Sequence, residues 1–251
     1  MKPSSAYQIS QTFALLLVGE PKSGKSNIAL AFPDPWILDL DHNLSSAVRR
    51  APGKKFFFDN LDGVEPLKYQ ETLEAKIKEA SANPEVKTLV IDSTTSLAAA
   101  VREGILANLR AHGAKLRADT LDDQLRISDY QTIMTYVLRL LALCRASGKF
   151  VIWTAHQKAD RDELTGTIRY QLNIPGQLKD SFGAYFTDVW AAVASQTLTA
   201  TGPGAKYTIR TKPTGLHYSL GASFDIAAEN DVTNKTPSDV WSLLSPKMGA
   251  K

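Results

Sequence analysis

Gly19-Glu20-Pro21-Lys22-Ser23-Gly24-Lys25-Ser26 is a complete G-x-x-x-x-G-K-S motif, and its flanks decide the fold class. Glycines let the backbone wrap so that amide hydrogens point inward at phosphate oxygens. A helix starting near Gly24 adds the positive end of its dipole. Lys25 supplies a point charge for the β- and γ-phosphates of ATP, and Ser26 a hydroxyl for Mg²⁺. The flanks meet the context that the motif requires. The apolar run 13–18 precedes it as a strand, and residues 26–31 continue as a helix. The eight motif residues together with Asn27 are therefore the expected nucleotide-binding set.

Moving outward, short apolar runs alternate with helical patterns. The runs are 36–40, 55–58, 88–91, 150–154 and 189–194. Continuous runs this short suit strands buried on both faces of a mainly parallel sheet flanked by helices, an α/β architecture. Ser128 with Gln131 three residues on predicts a capped helix start, and Ile133, Val137, Leu140, Leu141 and Cys144 form its apolar stripe up to Gly148. A second helix is expected from Thr94 or Thr95, with Leu97, Val101, Ile105 and Leu109 at steps of four. Residues 111–127, 157–171 and 200–205 read as loops, the last as a tight Gly-Pro-Gly turn. Residues 206–212 and 216–220 read as a C-terminal β-hairpin. The expected organisation is an arm at 1–12, an ATPase core at 13–224, and a polar tail at 225–251 whose short helix is capped by Thr236 and Pro237.

Composition narrows the class. The chain has 251 residues, 43% hydrophobic and 22% charged, which excludes disorder and collagen-like repeats. One cysteine, Cys144, rules out an intrachain disulfide and a Cys-rich zinc site, and it reads as packing. Residues 1–11 lack the apolar core of a secretory signal, and no run approaches membrane-spanning length. The expectation is a cytoplasmic protein with no membrane partner. Lys and Arg total 29 against 26 Asp and Glu. That excess permits nucleic-acid binding through local patches but does not demand it.

Two further acids complete the phosphate chemistry. Leu89-Val90-Ile91-Asp92 is an apolar strand ending in a carboxylate suited to the magnesium, or alternatively to capping the helix that follows. Ser93 stands next to it where many ring ATPases carry a catalytic Glu. The base is sought instead in Trp36-Ile37-Leu38-Asp39-Leu40-Asp41-His42, where Asp41 could also cap a helix from Asn43.

Here the sequence resembles the RecA-like recombinases. In that family the strand after the P-loop helix ends in a D-x-E-H type motif whose last acid orients the attacking water. The resemblance assigns that role to Asp41, one methylene shorter than the usual Glu, and a structural role to Asp39. Val151-Ile152-Trp153-Thr154-Ala155-His156 resembles the next core strand, whose terminal polar residue senses the γ-phosphate. Lys25, Asp41 and His156 are thus the implied catalytic residues, and Ser26 and Asp92 the implied metal residues. The likeness covers most of residues 13–220 and is strongest for compact phage-encoded RecA-like ATPases. No counterpart is found for the aromatic that stacks on adenine, since that neighbourhood reads Asn43-Leu44-Ser45-Ser46-Ala47-Val48.

The resemblance also implies partners: single-stranded DNA, further copies of the chain in a ring or filament, and a single-strand-binding protein, in a phage-infected host. The first candidate DNA loop carries Lys115, Arg117 and Arg126, the second Lys158, Arg161 and Arg169. Acids intersperse both, as in ordinary solvated loops. Arg210 and Lys212 are candidate cations reaching a neighbouring protomer's nucleotide. Two rivals stand beside this reading. One is a RecA-like switch or loader acting on proteins. The other is a small-molecule kinase, for which Arg161 and Arg169 make a sparse lid.

Overall fold

The computed structural model describes residues 13–112, 127–161, 163, 166, 168–174, 178–199, 202–214, 220–246 and 248. In chain order the first half runs β1 (Ala14–Gly19), α1 (Lys25–Ala31), β2 (Pro35–Asp39), α2 (Leu44–Arg49), β3 (Phe57–Asp59), α3 (Tyr69–Ala82), β4 (Thr88–Asp92) and α4 (Thr94–Ala111). The second half runs α5 (Ile127–Ala146), β5 (Phe150–Arg161), β6 (Ile168–Leu172), α6 (Leu178–Ser181), β7 (Asp188–Thr199), β8 (Gly202–Arg210), β9 (Glu229–Asp231) and α7 (Pro237–Leu244).

Among the described residues the strands form one nine-stranded sheet in the order β3-β2-β4-β5-β1-β7-β8-β9, with β6 paired to β5. From β3 to β7 every pairing is parallel. β8 and β9 then join antiparallel, and β6 pairs antiparallel with the outer half of β5. The architecture is the expected α/β one. Strand alternation divides the apolar residues between two cores. Leu16, Val18, Leu89, Ile91, Val151 and Trp153 pack beneath α3, α4 and α5. Leu15, Leu17, Val90, Ile152 and Trp190 face α1, α2 and α7. Because both faces are covered, the central strands read as unbroken apolar runs.

Side-chain caps open α4 and α7. The Ser93 side chain accepts from the Ser96 N–H at the start of α4. A reciprocal capping box between Thr236 and Asp239 opens α7. Val240 and Leu244 of α7 are fully buried beside α1, so the tail contributes to the second core. Cys144 is buried in the α5 stripe, and burial pushes its thiol up to about 12. No helix among the described residues is long and apolar enough to cross a membrane.

Four local expectations are corrected. α5 begins by Ile127, so Ser128 lies inside the helix instead of at its cap. The segment 157–171 is largely a hairpin: β5 continues to Arg161 and pairs with β6, because its charged residues occupy solvent faces of a two-stranded ribbon. Gly202-Pro203-Gly204 is strand, paired with 197–199 of β7, while β9 reaches β8 only at 208–210. The C-terminal hairpin is formed by β7 and β8; β8 takes β9 on its other side, and Gly221 bridges Val189 of β7. Residues 215–219 lie outside the described residues.

Candidate nucleotide and metal site

The P-loop leaves β1 at Gly19, which is in register with His156 of β5. A Cβ on Gly19 would lie 2.4 Å from the Ala192 carbonyl oxygen and 2.6 Å from Ser23 Oγ. Gly24 sits at φ +93, a left-handed conformation that glycine adopts without strain, immediately before α1. Lys25 is buried, its Nζ donating to the carbonyls of Gly19 at 3.0 Å and Glu20 at 2.8 Å. Burial lowers its pKa, against the opposing fields of Asp92, Asp41 and Glu20.

β4 delivers Asp92 to the same place, 2% exposed. Its Oδ2 accepts from Ser26 Oγ at 2.7 Å and its Oδ1 from Thr154 Oγ1 at 2.5 Å. Burial raises its pKa, the two hydroxyls oppose this, and the charges of Asp41 and Asp39 reinforce it. Both carboxylate oxygens serve the site, and the cap of α4 is Ser93, so the helix-cap alternative falls away. Mg²⁺ prefers oxygen donors and keeps much of its shell as water and phosphate oxygen. The Ser26 hydroxyl and Asp92 carboxylate fit that requirement, and among the described residues no group of three or more His, Cys, Asp or Glu forms a self-sufficient metal cage.

The two acids after β2 have separate tasks. Asp39 Oδ1 accepts from the Asn43 N–H at 3.3 Å, so Asp39, not Asp41, serves the start of α2. Asp41 turns inward. Its Oδ1 accepts from Ser93 Oγ at 2.9 Å and from Ser96 Oγ, and its Oδ2 meets His156 Nε2 at 2.7 Å. Burial by itself would raise the Asp41 pKa, but the bonds from His156, Ser96 and Ser93 outweigh it and pull the carboxyl down to about 2. His156 Nδ1 stands 3.5 Å from Lys25 Nζ. An imidazole carrying its hydrogen on Nε2 satisfies both contacts, donating to Asp41 and accepting from Lys25.

Lys25, Ser26, Asp41, Asp92 and His156 line one cavity of about 440 Å³, together with Pro21, Lys22, Gly24 and Asn27. Asn43, Ser45, Ser46, Ala47, Arg50 and Tyr207 line it as well, and the sequence assigned none of them to the site. Arg50 follows α2, and Tyr207 comes from β8; the guanidinium lies 5.6 Å from the ring centroid. No spacing signal links them, since they meet only through the sheet.

The remaining candidates fall outside this cavity. Lys115, Arg117 and Arg126 lie outside the described residues. Lys158 and Arg161 are exposed on β5 and Arg169 on β6. Register splits them: Lys158 faces Gln171 and Asp160 faces Arg169, whereas Arg161 points to the opposite side of the ribbon. Arg210 Nε lies 3.3 Å from Glu229 Oε2 within the same chain, and Lys212 is exposed just beyond β8.

A family profile described as an AAA domain matches residues 12–219. No curated protein matches the chain.

Proposed function

The chain belongs to the AAA-domain family of ATP-binding P-loop ATPases, and we propose that within it this protein is a RecA-like, phage-type ATPase acting on single-stranded DNA. It binds the strand as a ring or filament of identical chains and promotes annealing or homologous recombination beside a single-strand-binding protein.

The observation that carries this reading is the continuity of β5. Its inner end holds His156 between Lys25 and Asp41. The same strand then runs outward to Lys158 and Arg161 and pairs with β6, which bears Arg169. A shift at His156 therefore reaches the cationic ribbon along one strand. Cations on such a ribbon favour backbone phosphates without reading sequence.

The chemistry follows from the same residues. Lys25 and the loop amides bind the triphosphate. Ser26 and Asp92 would hold Mg²⁺, which when bound would neutralise charge on the phosphate oxygens. Asp41 is ionised at neutral pH and has about four acceptor directions, three of which go to Ser93, Ser96 and His156. The fourth orients the attacking water. Arg210 and Lys212 act on a neighbouring protomer's nucleotide, for which Arg210 must leave Glu229. An exposed pair of that kind is worth about 0–1 kcal/mol, so release is cheap.

The test is ATP turnover with and without single-stranded DNA, alongside gel shifts with ATP and with ADP. DNA should raise turnover, and ATP should change the shift. Mixing Lys25→Ala chains with Arg210→Ala/Lys212→Ala chains should restore part of the lost activity. Turnover indifferent to DNA, with no shift under either nucleotide, would reject the DNA reading. One observation favours a second reading, a switch acting on proteins: Asp160 stands between Lys158 and Arg161 and opposite Arg169, which weakens the ribbon's positive field.

A further inference from the structure

The start of α4 holds both halves of the acid–histidine pair. Ser93 Oγ donates to Asp41 Oδ1 at 2.9 Å, and Ser96 Oγ, one turn on, donates to the same oxygen. Between them, Thr95 Oγ1 accepts from the His156 N–H at 3.2 Å. The backbone of Asp41 is fastened as well. The Leu40 and Asp41 N–H groups donate to the Asp92 carbonyl at 2.7 and 3.3 Å. With its side chain 8% exposed, Asp41 is thus pinned to the end of β4 by its backbone and to α4 and β5 by its carboxylate.

The bonds are divided unevenly between the two carboxylate oxygens. An ionised carboxylate has about four acceptor positions, two on each oxygen. The two hydroxyls take both positions on Oδ1, and His156 Nε2 takes one on Oδ2. The position left over therefore belongs to Oδ2. The two serines differ in what else they do. The Ser93 hydroxyl also caps α4, accepting from the Ser96 N–H at 3.4 Å. That cap uses the backbone of Ser96 and makes no demand on its hydroxyl. Alanine at 96 would keep the N–H and is the strongest helix former, so the hydroxyl can be removed with α4 left capped.

We propose that Ser96 is a positioning residue for ATP hydrolysis: with Ser93 it saturates Asp41 Oδ1, so that Oδ2 alone is left to hold the attacking water. The inference rests on Asp41 being the acid that orients this water. Without the Ser96 hydroxyl, Oδ1 regains an open acceptor position, and the water has two oxygens to choose between. Only the one shared with His156 places it as the reaction requires. A reactant misplaced by about 1 Å can lose roughly 10²-fold in rate, so a water divided between the two oxygens reacts more slowly without the nucleotide binding any less tightly.

The test measures turnover at saturating Mg-ATP, calorimetric binding of Mg-AMP-PNP and thermal melting. The chains are the parent, Ser96→Ala, Ser96→Thr, Asp41→Asn and the double variant Ser96→Ala/Asp41→Asn. Ser96→Ala should lower kcat about tenfold. Its AMP-PNP affinity should stay within about twofold of the parent, since the lost contact acts on the reacting water and not on the bound nucleotide. Ser96→Thr keeps the hydroxyl and should turn over within about threefold of the parent. In Asp41→Asn the serine has no base left to position, so adding Ser96→Ala should lower kcat no further. Asp41→Asn working at the parent's rate would remove the acid itself, and this inference with it. If Asp41→Asn is slow as expected, the role of Ser96 fails alone under any of three results. Ser96→Ala may turn over as the parent does, or Ser96→Thr be as slow as Ser96→Ala. Or Ser96→Ala may slow Asp41→Asn by about the same factor as it slows the parent, which would mean that it acts by another route. A matching loss of AMP-PNP binding and melting temperature in Ser96→Ala would make the serine a packing residue and overturn the proposal too.

Discussion

Asp41 Oδ2 and His156 Nε2 meet at 2.7 Å across 115 residues of chain. The same imidazole stands 3.5 Å from the P-loop lysine. Acid, histidine and lysine thus form one connected row, in which β5 links the end of β2 to the start of α1.

Asp41→Asn should keep ATP binding and lower turnover by roughly 10²-fold or more, the usual cost of losing a water-orienting base. Asp39→Asn should cost little in either turnover or stability, since the amide Oδ1 still accepts from the Asn43 N–H. Steady-state kinetics with nucleotide titrations decide it. A large loss in Asp39→Asn with none in Asp41→Asn would move the base by two residues.

His156→Ala should bind ATP within a few-fold of the parent yet lose any dependence of DNA affinity on nucleotide. The measured quantity is the ratio of DNA affinities with ATP and with ADP. An unchanged ratio accompanied by a lowered melting temperature would make His156 a packing residue only.

The Asp41 carboxyl falls from 3.8 to about 2 in the folded protein. Its pKa is depressed, so its contribution, on the order of 2 kcal/mol, is present above about pH 4 and is lost as pH falls toward 2. Asp92, raised by burial, works in the opposite sense. Urea unfolding of the parent and Asp41→Asn between pH 6 and pH 3 isolates the first effect. The variant should lose less stability on acidification, and parallel curves would remove the Asp41 hydrogen bonds from the account.

Ser26→Ala and Asp92→Asn should both raise the Mg²⁺ concentration needed for AMP-PNP binding. Ser26→Ala also deprives Asp92 Oδ2 of its donor, at about 1–3 kcal/mol. A magnesium titration with the same half-saturation in parent and both variants would take the metal away from this pair.

Gly19→Ala should destabilise the protein by about 1–3 kcal/mol or more, since the new methyl meets backbone at Ala192 and cannot be accommodated by a side-chain rotation. Gly53→Ala is the control: φ is +77 but nothing lies within 4 Å, so only the backbone penalty of about 1–2 kcal/mol applies. Equal losses in denaturant unfolding would contradict the close approach at Gly19.

The P-loop, the strand-end Asp92 and the buried runs were legible because each depends on neighbours within a few residues. Phosphate cradling needs glycines at fixed spacing, and a strand covered on both faces needs continuous apolar side chains. Asp39 and Asp41 were legible as a pair. Which of them accepts from the Asn43 N–H and which turns into the cavity was settled by Asn43 on one side and by Ser93, Ser96 and His156 on the other.

The hairpin of β5 and β6 was misread as a loop because mixed charge reports solvent exposure, and a two-stranded ribbon is exposed on both faces. Arg50 and Tyr207 carry no local signal at all. They converge because β8 joins the sheet antiparallel beyond β7, so their adjacency is a property of strand order. Local spacing therefore sufficed for the P-loop and the strand-end acid, which one short segment and one strand end supply. The acid–histidine row and the cavity beside it draw on segments more than a hundred residues apart, and only the packing of the sheet brings those together.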